Sequence, residues 1–508
     1  TNIKIAIFRH DIDTSEEFYS KENDHIDEIT PLIRKYENDY KKVIFKSPYR
    51  DYLEEKIGKV AFKNMELADK SISDAILPLM QEENALVSKY DKIIASAKIP
   101  FDGEEYNISL LRKYLTHEDR DTRKRAWKAL SEYFMSVTDE IDDIYDKLVK
   151  NRTRQAKELG YDNYVELGYN RMVRNSYRRA EVEVFRKQVK ESFVPLVCRI
   201  QEERKKQIGV PDLKYYDNDV FFKNGNPAPI GTPEEILKKG QEMYRELSPE
   251  TAEFFDFMLE NELFDVIGRK TKKQGGYMDF LPDYKSPIIF ANFNGTSGDV
   301  DVITHECGHA FQGFVTRDDE IIEHNDITME TAEIHSMSME YFTYGWMNKF
   351  FGDRSGDYLK MHLEDSITFI PYGCMVDEFQ HIVYDKPEMT PSERKAVWKE
   401  LEKTYRPWLD FDNDEFFDEG GFWQKQGHIF WQPFYYIDYV LASVVAMQFK
   451  VMMDKDFGDA WKRYLDLCKL SAKDFYETEL SEVGLKSPFK DGTIGYLADE
   501  LSKKVSDI

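Results

Sequence analysis

Between Asp51 and Ala97, apolar residues return every three or four positions among lysines and glutamates: Leu53, Ile57, Val60, Ala61, Met65, Leu67, Ile72, Ile76 and Leu77. That period lays an apolar stripe along one side of an α-helix, whereas a strand needs a period of two. The same texture continues to Arg204, interrupted at Pro100-Phe101-Asp102-Gly103 and near Gly160, where turn-forming residues break the pattern. Helix starts follow. Thr232-Pro233-Glu234-Glu235 offers an N-cap, a proline for the first helical position and acids for the first turn, and Ser248-Pro249-Glu250 repeats the device. A chain patterned in this way is constrained to be mostly α.

One region departs from the helical period. Gly275 to Phe280 and Pro287 to Phe293 are short, aromatic or β-branched, and bounded by Gly and Pro. They are expected to form a small β-sheet within an otherwise helical protein. Asp212 to Asp217 is a weaker strand candidate. As an edge strand, Pro287 to Phe293 could pair with extended peptide backbone; the alternative is that it simply completes the sheet, and both could hold. With no repeat, low-complexity tract or flexible linker, the expected organisation is a mainly helical lobe over 1–200 and a catalytic region over 201–508. The two would form one intertwined unit.

The length of 508 residues with 41% hydrophobic content suffices for a large core. Seventy Lys and Arg against 95 Asp and Glu leave a net charge of -25. Such a surface repels nucleic-acid phosphates and anionic lipid, so neither nucleic acid nor membrane is an expected partner. Cys198, Cys307, Cys374 and Cys468 form no CxxC pair, which argues against a cysteine metal site or a disulfide framework. The apolar stretch after Lys4 is too short for a signal h-region. Val440 to Met447 falls well below the roughly 20 residues of a membrane span. The protein is expected to be soluble and cytoplasmic. It begins with Thr1 rather than Met, which leaves room for a preceding segment.

The chemistry concentrates at His305-Glu306-Cys307-Gly308-His309. Residues four apart share a helix face, so both imidazoles can reach one tetrahedral metal, while Glu306 beside them can address a water on it. With ten histidines in the chain, about 0.02 such motifs are expected by chance. Asp299 is the N-cap candidate for this helix, and Val302, Ile303, Ala310, Phe311 and Phe314 give it an apolar body. A catalytic zinc site takes three protein ligands and keeps one position open. Gln312 and Val315 occupy the places where a metzincin continues with Gly and His, so the third ligand must come from further on. A second helix over Ile327 to Phe342 carries Glu330, Glu333, His335 and Glu340, and spacing alone leaves the choice open. Cys307 is read as a small packing residue, and His324, His335, His362 and His381 as structurally satisfied.

A tetrahedral oxyanion needs a donor besides a metal. Gly427 to Tyr439 is the candidate source, with Pro433 expected in the first turn of a helix, His428 on the loop before it and the tyrosines on it. Tyr436 and Tyr439 lie three apart and Tyr435 and Tyr439 four apart, so either pair can share a face. Phenols are neutral donors near pH 7. The dense aromatics between Phe416 and Tyr439 would line a groove or, as is more usual, fill a core.

Three stretches together resemble the M3 family of metallopeptidases, of the oligoendopeptidase F type related to thimet oligopeptidase. They are Asn292-Phe293-Asn294-Gly295-Thr296, His305-Glu306-Cys307-Gly308-His309-Ala310-Phe311 and Ala332-Glu333-Ile334-His335-Ser336. Gly160 to Tyr164 and Gly231 to Glu235 match less specifically, and the likeness covers roughly Ala61 to the C-terminus. The resemblance implies a two-lobed helical shell around a deep substrate channel, with a small β-sheet next to the HExxH helix. It implies one Zn²⁺ per chain held by His305, His309 and the glutamate of a Glu-x-x-Ser stretch, here Glu333, with Glu340 behind the ligands. Glu306, His428, Tyr436 and Tyr439 match the catalytic positions. Aligning the double tyrosine instead shifts that register by one, and Gln432-Pro433 replaces a looser, Gly-rich loop. The implied activity is zinc-dependent hydrolysis of internal bonds in oligopeptides. The competing expectations are a zinc aminopeptidase, whose third glutamate would fall at Thr328, and a catalytically silent helical peptide-binding scaffold, which has no need of Glu306.

Overall fold

The long three- and four-residue periods do become helices: Leu77–Ala95, Arg120–Glu158 and Arg179–Ile208 are among the longest. The structure is a computed structural model that describes residues 1–269, 271–273 and 275–507. Both capping signals hold. Thr232 accepts from the Glu235 N–H at the head of helix Pro233–Leu247, and Ser248 from the Thr251 N–H at the head of helix Pro249–Glu260.

The chain forms two compact units, each assembled from three separate stretches. One unit comprises Thr1–Asp69, Pro227–Leu359 and Ala442–Ser487; the other comprises Lys70–Asn226, Lys360–Leu441 and Pro488–Ile508. A single cut at residue 200, as expected from the sequence, does not reproduce this division.

The first unit holds a three-stranded sheet of β3 (Phe264–Ile267), β4 (Tyr277–Leu281) and β5 (Ser286–Phe293). Its order, β3-β5-β4, puts Pro287 to Phe293 in the middle, so of the two expectations the structure shows a strand completing the sheet, not an edge strand. β5 runs parallel to β3 and antiparallel to β4, and six of its eight residues are fully apolar and buried or nearly so between them. Continuous apolar character, without alternation, is the mark of a strand covered on both faces. The edges fall to β3 and β4. Helix Gly298–Val315 follows β5 directly and buries Ile303, Cys307, Ala310, Phe311 and Phe314. Phe254 stacks edge-on to Phe311 at 5.6 Å, and the Tyr244 hydroxyl donates to the Ile303 carbonyl at 2.9 Å. The expected role of Cys307 as packing is thus met: it is fully buried.

The second unit is built on the 39-residue helix Arg120–Glu158 and the 30-residue helix Arg179–Ile208, with Leu77–Ala95 and Thr493–Asp507 packed along them. The break at Asp102-Gly103 is a hairpin, not a plain loop. β1 (Ile99–Phe101) pairs with β2 (Glu104–Tyr106) across a turn with φ +47° and +85°, the backbone for which Asp-Gly is favoured. Asp212 to Asp217 is not a strand. The buried Asp217 carboxylate accepts from the Lys214 N–H and from Arg120 and Arg123, which winds Tyr215–Asp217 into a 3-10 turn. Between Phe416 and Phe430, Phe416, Phe417, Trp423 and Phe430 are buried, so this aromatic stretch is core.

Helix Tyr436–Met453 is apolar on average, with mean hydropathy 1.3 over all 18 residues despite Asp438 and Lys450, further than the eight residues singled out in the sequence. Of that stretch 72% is buried inside the protein, the behaviour of a core helix.

Candidate metal centre

Helix Gly298–Val315 carries the motif, but Asp299 does not cap it as expected. Asp299 lies within the first turn, and its carboxylate accepts the backbone N–H groups of Asn294 and Gly295 at 2.9 and 2.8 Å. It therefore ties down the loop joining β5 to the helix, with Gly295 at φ +82°, and so sets where the helix begins.

Helix Met329–Phe342 crosses this one at very short range. A Cβ at Gly308 would lie 2.6 Å from the Ser336 Cα and 2.7 Å from the His335 carbonyl oxygen. Only glycine permits that approach, and the approach is what brings Glu333 to the two histidines. Glu333 Oε2 stands 3.4 Å from His305 Nε2 and 3.6 Å from His309 Nε2. The three donors lie within 4.8 Å of one another. Ligands at about 2.0–2.1 Å from a tetrahedral ion sit roughly 3.3 Å apart, so the residues fit a single divalent cation.

The surroundings prepare the set. The Ser336 hydroxyl donates to Glu333 Oε2 at 3.1 Å and to the Glu333 carbonyl at 3.0 Å, a contact that the spacing allows because i and i+3 share a helix face. His305 Nδ1 meets Glu340 Oε1 at 2.6 Å. With its Nδ1–H given to a carboxylate, the imidazole presents the Nε2 lone pair to a metal. Burial alone would lower the His305 pKa, but the Glu333 and Glu340 carboxylates outweigh it and hold it well above its ordinary value. Burial would raise that of Glu333, yet His305 and His309 hold it well below the usual carboxylate range. The buried Glu333 and half-buried Glu340 carboxylates thus favour a positive charge at this point, which a proton or a cation can supply.

Glu306 is half-buried on the same helix. Of the four candidates for third ligand, only Glu333 joins the histidine pair. His335 is fully buried, and burial with repulsion from His309 lowers its pKa to about 3. His324 bonds Asp319 and the Ile57 carbonyl, and His381 bonds Tyr169 and Arg186, as structural histidines do.

The other candidate residues gather in the second unit. His428 lies on a short helix, Gly427–Trp431, instead of a loop, and Pro433 falls in the turn before helix Tyr436–Met453 instead of at its first position. Phe434 explains the turn. It takes φ +69°, a strained conformation for a bulky side chain, held by an Arg174 bond to its carbonyl and by Gln380 Oε1 accepting its N–H at 3.0 Å. Its ring is buried against Gly168, where a Cβ would lie 2.6 Å from the Phe434 Cδ2. The turn folds the tyrosines back around the histidine. Ring centroids of Tyr435, Tyr436 and Tyr439 lie 5.7, 4.9 and 5.8 Å from that of His428. Burial raises the Tyr436 pKa far above its usual value, so it remains a protonated donor. Gln426, which the sequence reading passed over, meets His428 Nδ1 at 2.9 Å. Gly308 was also passed over, although a glycine inside a helix signals close approach.

Two imidazoles one helical turn apart, a carboxylate brought in from a crossing helix and a neighbouring glutamate define a metallopeptidase of the HExxH class. The chain belongs to peptidase family M3. The family profile matches residues 113–465, and that of the M3 N-terminal domain matches residues 1–72, further upstream than the likeness read from the sequence. It is 45% identical to a crystal structure described as oligoendopeptidase F, with TM-score 0.94, over 100% of this chain and 90% of that one. It is 44% identical to PZ peptidase A with an inhibitor, with TM-score 0.94, over 99% and 90% of the two chains. Among curated relatives, the chromosomal oligoendopeptidase F of Lactococcus lactis subsp. cremoris is 23% identical over 78% of this chain and 66% of its own length. The group B oligopeptidase PepB of Streptococcus agalactiae is 21% identical over 72% and 60%. The aligned region thus spans somewhat under two thirds of these curated relatives.

Proposed function

We propose that this protein is a zinc-dependent endopeptidase that hydrolyses internal bonds of short oligopeptides. The observation that carries the reading is the convergence of His305, His309 and Glu333 on one point beside Glu306. The names of the relatives, oligoendopeptidase F and oligopeptidase, support the substrate class. When bound at this set, Zn²⁺ would supply Lewis acidity for the scissile carbonyl and for a water. His305, His309 and Glu333 would hold it, with His305 oriented by Glu340. The Glu306 carboxylate accepts the proton of the attacking water and delivers it to the departing amine nitrogen. His428, Tyr436 and Tyr439, matched to the family's pattern, donate to the oxyanion or hold the substrate. A cytoplasmic setting belongs to the same proposal; four unpaired thiols, three of them buried, support it.

The test is cleavage of a short, internally quenched, N-acetylated peptide by wild type and Glu306→Gln, with metal content measured in both. Loss of the general base is expected to lower kcat/KM by about 10²–10⁴-fold with zinc retained. Equal, negligible turnover in two zinc-loaded proteins would favour a silent peptide-binding scaffold, and cleavage confined to peptides with a free amino terminus would favour an aminopeptidase.

A further inference from the structure

The imidazole of His428 can donate to an oxyanion in the neutral form only if its one proton sits on Nε2, which requires an acceptor role for Nδ1. The partner of Nδ1 therefore decides what the residue can do, and that partner is an amide. The Gln426 side chain meets three groups: the Tyr372 hydroxyl donates to its Oε1 at 2.6 Å, His428 Nδ1 lies 2.9 Å from its Nε2, and the amide also bonds the Tyr436 hydroxyl. An amide so placed can in principle face either way, so its partners settle the orientation. A phenol can donate or accept, but with Tyr372 donating to Oε1 the two amide N–H groups face His428 Nδ1 and the Tyr436 oxygen, so all three partners are satisfied. Burial raises the Tyr372 pKa well above its ordinary value, so that proton stays on the oxygen. With Oε1 engaged, the amide turns its N–H to His428 Nδ1.

The chain of contacts is braced behind. The Arg406 guanidinium lies 4.7 Å over the Tyr372 ring and is bound to Glu402, which also accepts from the Trp398 indole N–H at 2.8 Å. The Gln426 backbone is fixed from both sides, its N–H donating to the Trp423 carbonyl and its own carbonyl accepting from the Ile429 N–H. Rings packed on His428 within this unit include Trp431, Tyr435, Tyr436 and Tyr439, and these four are uncharged near neutral pH. The charged groups Arg406, Lys425, Asp219 and Asp365 line a cavity of about 260 Å³ together with Tyr372 and Gln426 itself.

We infer that Gln426 is a positioning residue that, relayed from Tyr372, holds His428 as the Nε2–H tautomer and so makes it a proton donor at neutral pH without a positive charge. The inference rests on the proposed role of His428 in the reaction, but its first readout is independent of activity. In full-length protein carrying ¹⁵N-labelled histidine, with the His428 resonances assigned by their loss in His428→Ala, Nδ1 is expected to show the pyridine-like shift of an unprotonated nitrogen. Gln426→Glu keeps the shape but offers only an acceptor. It is expected to place a proton on Nδ1 and, by placing an anion beside the ring, to raise the His428 pKa. Nε2–H then survives only in the imidazolium, so kcat/KM of Gln426→Glu is expected to stay near wild type in acid and to fall tenfold per pH unit above the raised pKa. Wild type lacks that limb. Gln426→Leu, which removes the donor and keeps the volume, is expected to mix the tautomers and lower kcat about 10–100-fold with little change in KM. A pyrrole-like Nδ1 in wild type, or an alkaline profile unchanged in Gln426→Glu while His428→Ala is impaired, overturns the inference. If the tautomer is as expected but His428→Ala cleaves like wild type, the positioning stands and the transition-state role of His428 falls.

Discussion

The two clusters of candidate residues are built by opposite means. At the metal centre, two of three donors come from one helix at a spacing of four, and a single tertiary event, the crossing at Gly308, supplies the third. Around His428, nothing in the local spacing brings the histidine to the tyrosines. A five-residue helix, a turn through a left-handed Phe434 and the packing of that ring on Gly168 are all needed first. A site encoded in a period tolerates change in its surroundings; one encoded in a turn depends on contacts far off in sequence.

The largest expected effect breaks the first cluster. Glu333→Gln removes the ligand that crosses between helices, and both bound metal and peptide cleavage are expected to fall to background, measured by metal analysis of purified protein and by the quenched-peptide assay. Next come the tyrosines. Tyr436→Phe and Tyr439→Phe keep the rings and delete the hydroxyls, so a donor to the oxyanion would cost about 10²–10³-fold in kcat, while a mere packing role leaves kcat unchanged.

A matched pair of glycine variants sharpens the contrast. Gly308→Ala and Gly168→Ala each force a Cβ to 2.6 Å from a neighbour, backbone in the first case and a ring edge in the second. Each is expected to cost about 1–3 kcal/mol by denaturant titration. Gly308→Ala alone should weaken metal binding; Gly168→Ala alone should lower kcat with metal retained. Equal losses of both properties in the two variants would erase the distinction.

The smallest effect on activity comes from a change that acts on stability alone. Burial raises the Glu479 pKa from its ordinary value to about 9, despite a bond from the Thr331 hydroxyl. A folded-state pKa above the unfolded one means that the folded protein holds the extra proton, so stability is lost as pH rises from about 4.5 towards 9. Glu479→Gln should flatten that part of the Tm-against-pH curve and raise Tm most at the alkaline end.

Helical class, the capped starts at Thr232 and Ser248, and the pairing of His305 with His309 were legible because each depends on residues a few positions apart, where the helical period alone sets the geometry. The β5 strand was legible as a strand, but its central position was not, since an apolar run reads alike at an edge and in the middle until its partners are known. Spacing left Glu330, Glu333, His335 and Glu340 as equals. Resemblance favoured Glu333, and the crossing of two helices at a glycine is the physical reason it alone meets both imidazoles. The turn at Phe434 was read as a helix start at Pro433, because a proline signals the first turn only when the backbone after it is free to be helical. Arg174, Gln380 and Gly168, some 54 to 266 residues away in sequence, hold Phe434 otherwise. By itself, then, the sequence determined which side chains could do the chemistry, through periods and caps that act over single helical turns. Which of them meet, and in which protonation state, was decided by tertiary contacts, because close approach and buried hydrogen bonds depend on neighbours that no local spacing records.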